Sequence, residues 1–261
     1  MHLRRFGHGP REVLALHCTI AHAGAWRGLA REMEAEATFH GFDLLSHGRS
    51  PDWDRRGDIQ DRTVEAAERL LRPGMDVVGH SFGATVALRL AVTHPQLIRS
   101  VTLFEPVFFA VAARDAPDLL ADHDRAVAPV FEALERGDDA QAARVFNRMW
   151  GTEDSPRWPE LPESTRAAMT RSIHVIPAAD EMLYRDRAGL LRPGVLDRAT
   201  MPVLLVRGSL THPVIGAIND GLARRLPEAR NVVIPGAGHM VPITHPAQSA
   251  VHLRALFAET A

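Results

Sequence analysis

Short apolar runs alternate with helical stretches from Glu12 to Phe104, and the alternation resumes from Pro202 to Phe257. No other property of the chain narrows its fold so far, because strands separated by helices pair in parallel through crossovers that cover both faces of a sheet. Glu12 to His17, Ala37 to Leu44, Met75 to Gly79 and Ser100 to Phe104 read as strands, with helices over about residues 25–36, 61–71 and 84–92. Later, Pro202 to Arg207 and Asn231 to Ile234 read as strands, and about 214–226 and 246–257 as helices. The expected class is α/β: a mostly parallel central sheet with helices on both faces and right-handed crossovers.

Between Val107 and Leu196 the strand signal fades, and apolar residues recur at helical spacing: Val127, Val130, Phe131 and Leu134, then Ala142, Val145, Phe146, Met149 and Trp150. Pro156, Pro159 and Pro162 mark a loop in the middle. We expect one α/β core, residues 1–106 and 197–261, with a helical cap inserted at 107–196 and no internal repeat.

Gly79-His80-Ser81-Phe82-Gly83 falls where an apolar strand gives way to a helix. A serine at such a turn sits on a strained backbone with its hydroxyl exposed, the arrangement of a nucleophile elbow. The glycines lack Cβ atoms, so strand and helix can approach closely. The pattern has about a 5% chance of arising by accident from this chain's glycine and serine frequencies, so its weight comes from its position.

Lysine plus arginine number 30 against 32 aspartate plus glutamate, a balance that disfavours nucleic acid or an anionic membrane surface as partner. Cys18 is the one cysteine and can form no intramolecular disulfide. Residues 1–9 lack the apolar stretch of a signal peptide, and Val107 to Ala113 is too short to span a bilayer. The expectation is a soluble, cytoplasmic protein acting on a small molecule, its oligomeric state left open. The 14 histidines include no H-E-x-x-H pattern, and no G-x-x-x-x-G-K loop occurs, so neither a metal nor another cofactor is expected.

Several segments together resemble the α/β-hydrolase family. Val13 to Trp26 is similar to its strand followed by a His-Gly loop, with Cys18 in place of the usual glycine. Asp43 to Ser50 resembles its D-x-x-G-H-G-x-S turn, and Gly236-Ala237-Gly238-His239 with Pro242 resembles its C-terminal histidine loop. The resemblance covers both ends of the chain and omits the insertion, where the family carries a variable cap.

A serine hydroxyl becomes a competent nucleophile when a neighbouring imidazole takes its proton. Among the histidines, His239 follows the last strand in a glycine-rich turn, and the resemblance implies that this loop returns over the elbow as the base. His80 is expected to point away from Ser81, and His17 to support the loop after its strand. The resemblance also implies an acid near Thr211, but Ser209 to Asn219 holds no carboxylate and Asp220 lies inside a helix. Some relatives take the acid from the end of an earlier strand, which here is Glu105; a Ser–His dyad or another acid stays open. The resemblance points to the backbone N–H groups of Phe82 and Thr19 as the oxyanion hole. Cys18 reads as a small buried side chain.

Phe108, Phe109, Phe146, Met149 and Trp150, with Met182 and Tyr184, are candidates to line an apolar substrate pocket under the cap. The leading expectation is a cofactor-independent serine hydrolase cleaving carboxylic esters of small to medium apolar substrates through an acyl-enzyme on Ser81. Carbon–carbon bond hydrolysis, lactone opening, acyl transfer and non-catalytic ligand binding are the alternatives.

Overall fold

A computed structural model describes residues 1–260. Seven strands, β1 (Leu3–Gly7), β2 (Arg11–Leu16), β3 (Ala37–Phe42), β4 (Met75–His80), β5 (Ile98–Phe104), β6 (Val203–Gly208) and β7 (Ala229–Ile234), form one sheet in the order β1-β3-β2-β4-β5-β6-β7. Strand β1 runs antiparallel to β3, and the other neighbouring pairs are parallel. The helices that connect them are α1 (Arg27–Glu32), α2 (Ile59–Glu68), α3 (Phe82–Thr93), α4 (Phe109–Asp115), α5 (Pro117–Glu135), α6 (Asp139–Met149), α7 (Glu163–Ser172), α8 (Asp180–Leu183), α9 (Pro213–Ala223), α10 (Val241–Thr244) and α11 (Pro246–Glu259).

The central strands are apolar on both faces because helices cover both. In β2, Leu14 and Leu16 enter the core beneath α3 and α9, while Val13 and Ala15 enter the core shared with α1 and α11. A strand buried on both sides reads as a continuous apolar run. Strand β1 was not anticipated. Its Leu3 and Phe6 are separated by Arg4 and Arg5, which breaks the period of two, and it is held at the sheet edge by its backbone pairing with β3.

Helix α1 is shorter than expected. A 3-10 turn covers Ala23–Trp26, and after Glu32 the Met33 and Glu36 N–H groups bond to Ala30 and Met33 in tightening turns. Helix α2 starts earlier than expected because the Asp58 carboxylate caps it, accepting the Gln60 and Asp61 N–H groups.

Among the described residues no strand lies between β5 and β6. Helices α4 to α8 occupy that stretch, and Val127, Val130, Ala133, Ala142, Ala143 and Ile173 form a small core there with Ile20 from the loop after β2. Arg171 of α7 fastens it to the loop after β3, donating to the Gly48 carbonyl at 2.9 Å and the Ser50 carbonyl at 2.7 Å. No helix among the described residues is long and apolar enough to cross a membrane.

Candidate active site

Strand β4 ends at His80 and α3 begins at Phe82, so Ser81 alone turns the chain, at φ 56° and ψ −116°. A non-glycine residue in that region is strained and persists because its surroundings hold it there. The Ser81 N–H donates to the Phe104 carbonyl at 2.9 Å, and the Ser81 carbonyl accepts the Ala84 N–H at 3.0 Å. Its hydroxyl makes no capping bond to α3, which leaves the oxygen free for chemistry. A Cβ on Gly79 would lie 2.3 Å from the Gly83 carbonyl oxygen, and one on Gly83 2.2 Å from that of Leu16. Both positions therefore require glycine.

Phe82 is the first residue of α3, so its N–H has no carbonyl one turn earlier in the helix. In the facing loop, the Ile20 N–H donates to His47 Nε2 at 3.0 Å and the Ala21 N–H to the Cys18 carbonyl at 3.4 Å, while the Thr19 N–H makes no hydrogen bond among the described residues. His17 fixes the same loop: its Nδ1 donates to the Cys18 carbonyl at 2.7 Å and its Nε2 accepts the Leu44 N–H at 3.0 Å. Both imidazoles must be neutral to accept an N–H, and burial holds His17 down to about 3 and His47 down to about 4. Burial also pushes the Cys18 thiol up to about 12, so it is protonated near neutral pH.

Glu105 follows β5 with φ 51° and is fully buried. Its Oε1 accepts the Gly208 N–H at 2.6 Å, and its Oε2 accepts the Thr211 hydroxyl and lies 2.8 Å from His239 Nδ1. Thr211 thus occupies the region where a carboxylate was sought and turns its hydroxyl to the carboxylate of another strand. Burial pushes the Glu105 carboxyl up, and the Thr211 and Gly208 donors pull it back. Burial pushes the His239 imidazole down, favouring the neutral form that a base requires. With Nδ1 on Glu105, Nε2 is the nitrogen left to exchange protons.

His80 points away from the serine as expected, and it has a further contact: its Nε2 donates to the His239 backbone carbonyl at 2.9 Å. The Trp150 ring packs on the His239 imidazole, with ring centroids 4.1 Å apart.

Two cavities meet at Ser81. One, of about 50 Å³, is lined mostly by apolar side chains beside α5 and α6, with His47, His123 and Asp180 also on its wall; the other, of about 680 Å³, is wider, more polar and bordered by His239. Thr19, Ser81, Phe146 and Trp150 border both. Of the proposed pocket residues, Phe109 and Tyr184 also border the small cavity. Phe108 and Met182 are buried, and Met149 packs against the core; none of these three borders either cavity.

Sequence reasoning passed over His123, which borders the small cavity, stacks on Phe109 at 4.4 Å and leaves its buried Nδ1 without a partner. It also missed the Thr211 donor, whose one signal was a hydroxyl at the position searched for an acid.

The sequence model of the alpha/beta hydrolase family matches residues 13–251. Lipase LipV of Mycobacterium tuberculosis is 31% identical, over 97% of this chain and 96% of its own. The pimeloyl-[acyl-carrier protein] methyl ester esterase of Nitrosomonas europaea is 28% identical, over 95% and 96%. A hydrolase from Pseudomonas aeruginosa superposes with a TM-score of 0.73 at 19% identity, covering 98% of this chain and 93% of that one. A thermophilic esterase from Thermogutta terrifontis gives 0.71 at 20%, covering 99% and 93%. At those identities the two structures attest the fold.

Proposed function

The chain belongs to the alpha/beta hydrolase family, and from that premise we propose that it is a serine hydrolase that cleaves carboxylic esters of small to medium apolar substrates through an acyl-enzyme on Ser81. The observation that carries this reading is the buried 2.8 Å bond between Glu105 Oε2 and His239 Nδ1, beside a serine whose hydroxyl is committed to nothing in the fold. The names of the lipase and esterase relatives support ester cleavage.

In this mechanism Ser81 Oγ attacks the ester carbonyl carbon and its proton passes to His239 Nε2. The oxyanion forms against the Phe82 and Thr19 N–H groups, at the positive end of α3. The carbon–oxygen bond to the alcohol breaks, and the departing oxygen takes the proton from Nε2. Water then adds to the acyl-enzyme, giving a proton to Nε2; the Ser81–acyl bond breaks, the acid leaves, and Ser81 Oγ recovers the proton. Throughout, Glu105 stabilises the imidazolium and fixes the tautomer. The chemistry uses these side chains and water. Residues 107–196 act as the cap over the core of 1–106 and 197–261, since Phe146 and Trp150 at α6 form part of both cavity walls.

Fluorophosphonate labelling and hydrolysis of short p-nitrophenyl esters test the proposal. We expect one label per chain, and loss of labelling with at least about a 10⁴-fold fall in turnover in Ser81→Ala. Turnover that survives Ser81→Ala overturns it, as does a folded wild type that neither labels nor turns over.

A further inference from the structure

We infer that the apolar part of the proposed ester substrate is its acid, which is short and enters the small cavity, and that its alcohol is bulky and hydrogen-bonding and enters the wide one. The inference rests on the serine-hydrolase reading and on an asymmetry in the walls. Both cavities reach Ser81 and Thr19, but Phe82 borders the small cavity alone and His239 the wide cavity alone.

A tetrahedral carbon on Ser81 Oγ has three other substituents. The oxyanion is directed to the Phe82 and Thr19 N–H groups. The alcohol oxygen must come within hydrogen-bond reach of His239 Nε2 to leave with a proton, so the alcohol extends to the side that His239 borders. The acyl carbon takes the remaining direction, into the small cavity. Water for deacylation then enters by the path the alcohol has vacated, next to the same imidazole.

Size and chemistry set the limits on each side. The roughly 50 Å³ of the small cavity is less than a tenth of the roughly 680 Å³ of the wide one, so a short acyl chain fits against walls such as Val127, Phe131, Ile176 and Leu183 and a long one does not. The roughly 680 Å³ of the wide cavity lies in the range of drug-sized guests. His22, Asn147, Ser164 and Thr165 there offer hydrogen bonds to an alcohol of sugar size or larger. A methyl ester of a long acid has the opposite partition.

The test measures kcat/KM for p-nitrophenyl acetate, butyrate and octanoate, and for methyl butyrate, glucose monobutyrate and methyl decanoate, each in wild type, Phe131→Ala, Val127→Ala and Thr165→Trp. Fluorophosphonate labelling of Ser81 serves as the measure of an intact site. We expect butyrate to exceed octanoate at least tenfold, and glucose monobutyrate to exceed both methyl esters. Phe131→Ala should raise the octanoate-to-butyrate ratio at least tenfold with the alcohol preference kept, and Val127→Ala supplies the same readout where Phe131→Ala does not label. Thr165→Trp should lower the rate on the glucose ester and spare methyl butyrate. Preference for methyl decanoate, or an acyl-length shift from Thr165→Trp without one from the small-cavity variants, overturns the inference while leaving the serine hydrolase intact. Absence of both labelling and turnover in folded wild type removes the underlying reading instead.

Discussion

Replacing Glu105 by glutamine keeps the shape of the side chain and changes the direction of one hydrogen bond. The Gly208 N–H lies 2.6 Å from Oε1 and claims the remaining oxygen of the amide, so the new NH₂ group faces the Thr211 hydroxyl and His239 Nδ1. A donor at Nδ1 selects the tautomer with the proton on Nε2, and that nitrogen can then no longer accept from Ser81. The imidazolium also loses its counter-charge. The expected cost is roughly 10⁴-fold in kcat, about 5.5 kcal/mol of transition-state stabilisation, with little change in KM. The assay is steady-state hydrolysis of p-nitrophenyl butyrate across pH, with urea denaturation alongside to establish that the variant is folded. Removing a negative neighbour lowers an imidazole pKa, so the acid limb of the residual activity should move to lower pH. A folded variant that loses less than tenfold, or whose acid limb moves to higher pH, refutes the assignment of Glu105 as the orienting acid.

Thr211→Val removes a donor to the Glu105 carboxylate; at about 1.5–3 kcal/mol for such a bond, kcat should fall roughly 10- to 100-fold, and Thr211→Ser should restore most of it. His17, His47, His80 and His123 are buried, and their folded pKa values lie at about 3 to 4, below the 6.5 of an exposed imidazole. The unfolded chain therefore takes up protons below pH 6.5 that the folded chain does not, and stability falls with pH through that window. At pH 5 the loss is about 2 kcal/mol for one such imidazole and larger for the set, His239 included, opposed in part by the raised Glu105. Urea titrations at pH 7.5 and 5 should show the loss, and equal stabilities would contradict it. Gly83→Ala drives a methyl group against the Leu16 carbonyl oxygen at 2.2 Å and should destabilise the chain by more than about 4 kcal/mol, read as a large drop in Tm or loss of soluble protein.

The sheet was legible because burial on both faces leaves short apolar runs in the central strands, such as Val13 to Leu16 and Val203 to Val206, whereas β7 at the sheet edge exposes Arg230, Asn231 and Val233 and signals itself only through Val232 to Ile234. Strand β1 was hidden because it is held by backbone pairing with β3, and its two adjacent arginines break the alternation, Arg4 half-buried beside Asp43 and Arg5 exposed. The elbow was legible because its geometry is local: two glycines, a serine and a strand-to-helix junction lie within five residues. Glu105 and His239 were reached through the resemblance to the α/β-hydrolase family, which singled out their places just after β5 and β7. The bonds that hold those two residues in place were not visible. The Thr211 hydroxyl and the His80 ring reach their partners across the fold, and a contact between residues distant in sequence leaves no periodicity behind. Phe108 and Phe109 differ in the same way: they are adjacent and chemically identical, but Phe109 borders the small cavity and Phe108 does not.

Strands β5 and β6 are hydrogen-bonded neighbours, from Val101 opposite Val203 to Phe104 opposite Val206. The chain therefore leaves the sheet just beyond Glu105 and returns one strand spacing away, about 4.8 Å in the pairing direction. Everything from α4 to α8 is topologically a side branch spliced between adjoining staves of a finished scaffold. Beyond α4, whose Val111 packs into the core against Gly221 of α9, the length of that branch sets no strand register in the sheet. Yet the splice opens at Glu105, so on the proposed mechanism each new branch is presented directly to the reacting centre, and specificity is rewritten there while the proton-transfer groups stay on the sheet.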